Sequence, residues 1–144
     1  MLARVQRTID QATSSPNLRA YASVLAVALK EIETATRAAL VEDGSNNGLL
    51  NATPYLQAFG HVVIAWLWLD ISLTAEFGLA NDVQRRDFHQ GKLQATRYFF
   101  HYVLPKVSAW LQVVTNCDST CNDMADAWFY ISVSTRSKAA WIHK

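Results

Sequence analysis

The residues able to do chemistry in this chain are few, and two of them stand where charge is unexpected. Asp70 falls on the apolar stripe Phe59, Val63, Trp66 and Leu73, and Lys92 lies beside the stripe Phe88, Ala95, Phe99 and Tyr102. An unpaired buried charge is too costly to persist, so each needs a partner. Their segments are expected to be neighbouring antiparallel helices. One expectation is therefore an Asp70–Lys92 ion pair; the other is a Lys92 turned outward to an anion or to an acidic surface. His61 shares a second apolar face with Ile64 and Trp68 and reads as a hydrogen-bonded core histidine rather than a ligand. Lys92 also belongs to a basic segment with Arg85, Arg86, Arg97 and Lys106, opposed only by Asp87. Such a run usually marks a solvated face; the sharper meaning is an anion site or an acidic partner, with Arg97 a candidate interface residue.

Other chemistries fail on spacing. A di-iron helical bundle needs Glu-x-x-His pairs, and none of Glu31, Glu33, Glu42 and Glu76 has a histidine three residues on. Zinc takes four ligands, and no nearby Cys or His pair completes a set with Cys117 and Cys121, which read as ordinary thiols. No dinucleotide, Walker, nucleophile-elbow or zincin motif occurs. The sequence thus assigns no catalytic residue and no metal site.

The elements that would position these groups are helices. Leu2, Val5, Ile9 and Ala12 make a short amphipathic stripe. A break at Ser14–Asn17 follows, with Asn17 as N-cap of a second helix carrying Leu18, Tyr21, Ala22, Leu25, Leu29, Ile32, Thr36 and Leu40. The loop 43–48 is polar and Gly-rich. Thr53 and Pro54 read as N-cap and first residue of a third helix, apolar nearly all round and hence buried on several sides, with Phe59 and Trp66 in the core. A fourth helix runs from about Val83, kinked at Pro105, and resumes through Val107, Trp110, Leu111 and Val114. Met124, Ala127, Trp128 and Ile131 mark a last helix. No strand alternation is present, and the expected fold is all-α: an antiparallel bundle of four long helices with short flanking ones, residues 1–133, followed by a weakly patterned tail, 134–144.

Composition bounds the function. The chain has 144 residues, 51% hydrophobic and only 17% charged, with net charge +1. One domain of this size forms a sizeable core, and the charge-poor surface fits a partner. The balance gives no reason to expect nucleic acid or an anionic membrane. The charge-free apolar run Val62–Leu69 is too short for a membrane span. No secretory signal opens the chain, and the cytoplasm is the expected compartment.

Two segments carry a resemblance. NATPYLQAFGHVVIAWLWL followed by DFHQGKLQATRYFFHYVLPKV resembles the extra C-terminal domain of the long bacterial acyl-CoA dehydrogenases related to 3-methylmercaptopropionyl-CoA dehydrogenase. The matching residues are Asn51, Pro54, Tyr55, Leu56, Phe59, Gly60 and Val62, then Phe88, Lys92, Thr96, Phe99, Phe100, Leu104 and Pro105. Thr96 departs from the alanine that the motif carries there. The likeness covers residues 1–133. It implies a parent enzyme that removes two hydrogens from Cα and Cβ of an acyl-CoA, a carboxylate taking the α-proton and the flavin N5 of FAD the β-hydride. Those parts belong to upstream domains that this chain lacks. The resemblance thus implies no cofactor in this chain, FAD and acyl-CoA in the parent, and the catalytic domains and a second subunit as partners. A free-standing helical interaction module with no enzymatic role is the alternative.

Overall fold

The computed structural model of the protein describes residues 2–41 and 50–129. The fold is all-α, and no strand occurs among the described residues. Among the described residues five α-helices follow in order: α1 (Leu2–Ser14), α2 (Arg19–Val41), α3 (Ala52–Asn81), α4 (Arg86–Tyr98) and α5 (Lys106–Thr115). A 3₁₀ turn, Val83–Arg85, leads into α4, and a π-turn, Phe99–Val103, joins α4 to α5. Two of these helices are long, with 23 and 30 residues, rather than the four expected. The last expected helix is a 3₁₀ turn, Asp126–Phe129, with Trp128 exposed. Ile131, the tail 134–144 and the loop 43–48 lie outside the described residues.

The helices begin and end for local reasons, and these move two of the expected caps. Between α1 and α2 the Leu18 N–H donates to Ser15 Oγ and the Arg19 N–H to the Ser15 carbonyl. Ser15, not Asn17, thus holds the turn, and the Asn17 amide instead donates to Glu76 at 2.9 Å. Helix α3 starts at Ala52, so Thr53 is helical and Pro54 lies in the first turn, where a missing N–H is harmless. Asn51, just before it, donates to the Asp118 carbonyl at 3.0 Å, tying the start of α3 to the end of α5. At its far end Asp82 accepts from the Arg85 N–H and starts the 3₁₀ turn. The kink expected at Pro105 is resolved one turn earlier. Proline cannot donate, and the chain widens so that the Leu104 N–H reaches the Phe99 carbonyl at 2.9 Å.

Side-chain pairs fix the directions. His61 stacks on Phe99 and Gly78 underlies His89, so α4 runs antiparallel to α3. His61 also meets Trp110, and with the Asn51–Asp118 bond this sets α5 antiparallel to α3. Tyr21 meets Phe100 and Ser108 donates to Glu31, so α2 runs parallel to α5. The core lies where these helices converge: Val5, Ile9 and Ala12 of α1, Ala22, Leu25, Ile32 and Ala35 of α2, Val62, Ala65 and Leu69 of α3, and Val107, Leu111 and Val114 of α5. Alanines at four of these positions let the helix axes approach closely.

Helix α3 packs against all four other helices. Its inner arc is Ala58, Val62, Ala65, Trp66, Leu69 and Ser72. The opposite arc is not covered as expected. At 100° per residue Leu56, Gly60, Ile64, Leu67 and Ile71 form a second stripe facing away from the core, and its four large side chains are 39–64% exposed. By length and composition alone α3 would also pass as a membrane span; its inner arc packs as the core helix of a folded domain. Trp66 is buried as expected, whereas Phe59, 38% exposed, stands at the lip of a groove and not in the core.

Candidate functional site

The Asp70–Lys92 pair does not form. Asp70 is exposed at the edge of the inner arc of α3, turned to α1, and its Oδ1 accepts from the Thr8 hydroxyl at 3.1 Å. Lys92 is half-buried on α4 with its Nζ 5.0 Å from the centroid of the Phe88 ring. The physical reason is the centre of the α3 arc. The arc runs through Ala65, Leu69 and Ser72, which places Asp70 on the α1 flank and α4 on the other flank. His61 is half-buried, its Nδ1 2.7 Å from the Gln57 carbonyl, with its ring between Phe99 and Trp110. Arg97 is exposed on α4. The structure therefore brings none of Asp70, Lys92, His61 and Arg97 together as a site. Cys117, in the left-handed region at φ 50°, and the exposed Cys121 are both free. No group of three potential metal ligands occurs among the described residues.

The sequence reading passed over the hydroxyls that join the helices. The Trp66 indole N–H donates to Thr8 Oγ1 at 3.0 Å, and the single Thr8 proton is shared between Asp70 and the Arg4 carbonyl. The Arg4 guanidinium lies 5.7 Å over the Trp66 ring. Between α3 and α4, Ser72 and Thr96 meet at 2.6 Å, both fully buried, and Thr96 reaches the Trp68 and Lys92 carbonyls. Thr96 is the position at which the sequence departs from the alanine of the motif, and here its hydroxyl has a partner. Between α2 and α3, Thr36 donates to the Ile32 carbonyl at 2.7 Å and so receives the Tyr55 phenol at 2.8 Å. A polar residue at an otherwise apolar helix position is the signal these share; its partner is invisible until the helices are placed.

Two surfaces remain as candidate sites. The first is a groove of about 760 Å³ between α1, α2 and α3. Val5, Ile9, Ile32, Val62 and Trp66 floor it, Tyr55 and Phe59 wall it, and Gln6, Lys30, Glu33 and Arg37 stand around its mouth. Glu33 is paired with Arg37, whereas Lys30 has no carboxylate within ion-pair distance among the described residues. The second is the outward stripe of α3. From Leu50 to Asn81 there is no Lys or Arg, and the two acids, Asp70 and Glu76, and the one histidine, His61, lie off that stripe. Phe88, Tyr98 and Tyr102 of the neighbouring α4 segment are also exposed, the two tyrosine rings stacked at 5.2 Å.

Neither surface pairs a hydroxyl or thiol with a carboxylate or imidazole; the hydroxyl–carboxylate bonds Ser108–Glu31 and Thr8–Asp70 lie outside both. The helical body is charge-poor and exposes large apolar side chains on the stripe of α3. No curated protein and no solved structure matches the chain. A family model described as acetyl-CoA dehydrogenase C-terminal like matches residues 1–125. The chain therefore belongs to the acetyl-CoA dehydrogenase C-terminal-like family, a C-terminal domain of acyl-CoA dehydrogenase-like proteins.

Proposed function

We propose that this chain is the helical accessory domain of an FAD-dependent acyl-CoA dehydrogenase of the long bacterial subgroup related to 3-methylmercaptopropionyl-CoA dehydrogenase, an enzyme of the cytoplasm. Its role is to dock on the catalytic body of that enzyme, or on a second subunit, and not to carry out dehydrogenation. What supports the reading is the outward stripe of α3, where Leu56, Ile64, Leu67 and Ile71 face away from the domain's own core. A helix that serves its own domain alone carries polar residues on that arc.

The described residues do not fit FAD. A flavin dinucleotide needs a loop whose backbone closes on the pyrophosphate, commonly glycine-rich and opening a helix. The described glycines, Gly60, Gly78 and Gly91, all lie inside helices. On this reading dehydrogenation of the acyl-CoA belongs to the parent's other domains.

The test is reconstitution. Mixed with the flavin-bearing remainder of the enzyme, this chain should form a complex that survives gel filtration. Ile64→Glu and Leu67→Glu, exposed in the isolated domain, should abolish the complex while leaving the chain's own melting temperature within a degree or two. Absence of a complex, or a complex indifferent to both changes, would sink the proposal and favour a free-standing interaction module.

A further inference from the structure

The groove between α1, α2 and α3 is separate from the outward stripe of α3 and is not needed for docking through it. We propose that it binds a linear aliphatic carboxylate, its chain laid over Trp66 and Val62 and its head group on Lys30. The volume of about 760 Å³ lies within the range of small-molecule sites, which are mostly apolar with a few placed polar groups. Here the lining is mostly apolar, its charged groups are Lys30, Glu33 and Arg37, and the hydroxyls of Thr36 and Tyr55 are bonded to each other. Glu33 and Arg37 satisfy each other, which leaves Lys30 as the uncompensated charge of the mouth. The matching ligand is thus an apolar chain with a single anionic end. A nucleotide-bearing thioester carries several phosphate charges and would need several cations or a backbone cradle, and the mouth offers neither. Tyr55 reinforces the assignment to a chain rather than a polar molecule. Its proton goes to Thr36, so it offers the groove no donor for a sugar or a peptide.

The experiment uses the chain itself with octanoate, decanoate and dodecanoate, each below its micelle concentration. Binding is read by calorimetry and by the NMR signal of the Trp66 indole N–H, which donates to Thr8 beside the groove. Each added methylene should tighten binding roughly fourfold until the groove is filled, the ratio set by burial of one CH₂. Val63 also lines the groove, and Val63→Trp, which fills it, should remove binding in a domain that still melts cooperatively. Lys30→Met should lower carboxylate affinity about tenfold and leave the neutral alcohol of the same length unchanged. No saturable binding, binding indifferent to Val63→Trp, or equal binding of acid and alcohol would each overturn the proposal. Tighter binding of the coenzyme A thioester than of the free acid would overturn the head-group assignment. None of these outcomes bears on docking through α3, which is tested at Ile64 and Leu67.

Discussion

Trp66 and Thr8, fifty-eight residues apart in the chain, are joined by a buried hydrogen bond of 3.0 Å from the indole N–H to the threonine hydroxyl. The bond fastens the central helix to the first one, and Asp70 fastens the same hydroxyl from the solvent side.

Removing the acceptor should cost more than removing the acid. Thr8→Val leaves a buried indole N–H without a partner, a loss of about 1–3 kcal/mol. Asp70→Asn keeps an acceptor at an exposed position and should cost under about 1 kcal/mol. Trp66→Ala, which also opens a cavity, should cost about 3–5 kcal/mol. Urea unfolding of the three variants gives the order; Asp70→Asn falling below Thr8→Val in stability would contradict it.

Alanine at the helical glycines should act with opposite signs. A Cβ on Gly78 would collide with the His89 ring, and that side chain is largely enclosed. The ring must move, and overpacking of this kind costs roughly 1–3 kcal/mol. A Cβ on Gly60 or Gly91 meets nothing within 4 Å. There the helix preference for alanine should stabilise by up to about 1 kcal/mol. Thermal melts of the three variants decide it, and His89→Ala should rescue Gly78→Ala.

The hydroxyl pair between α3 and α4 should behave as a unit. Thr96→Val leaves the fully buried Ser72 hydroxyl short of a partner, whereas Ser72→Ala leaves Thr96 its bonds to the Trp68 and Lys92 carbonyls. The double change removes both and should cost less than the sum of the singles, with a coupling of about 0.5–3 kcal/mol. Strict additivity in a double-mutant cycle would show that the 2.6 Å contact contributes nothing.

Asp70→Asn and Lys92→Met should be additive within about 0.5 kcal/mol, because the two side chains have different neighbours. A measured coupling beyond that range would restore the ion pair that the geometry denies.

The all-α fold was legible because the 3.6-residue period survives in α1, α2, α4 and α5, and because α3 is a long apolar run without strand alternation. What failed was the phase of α3. The sequence reading followed the largest side chains, Phe59 and Trp66, and so placed Asp70 facing inward. The true arc is centred on Ala58, Ala65 and Ser72, small residues that carry little hydrophobic signal but permit close approach. The cap at Asn17 was misplaced for a related reason: the residue suits a cap, and the partner that captured it, Glu76, is distant in sequence. The groove was illegible, since it depends on the separation of three helices. The exposed stripe was hidden inside a correct statement, that α3 is apolar all round. Only the fold shows which of its two apolar faces its own domain uses.

The π-turn between α4 and α5 has a consequence for insertions and deletions. Five residues, Phe99–Val103, make a turn that four would make in an α-helix. The segment therefore holds one residue in reserve. Deleting the exposed His101, with Pro105 replaced by alanine so that a regular helix can close, should leave Leu104, Val107 and Leu111 facing the core. Deleting one residue inside α5 turns everything after it by about 100° and carries Val114 out of the core. Between the start of α4 and the end of α5, length variation is thus tolerated at the place marked by the hydrogen bond from Leu104 to Phe99.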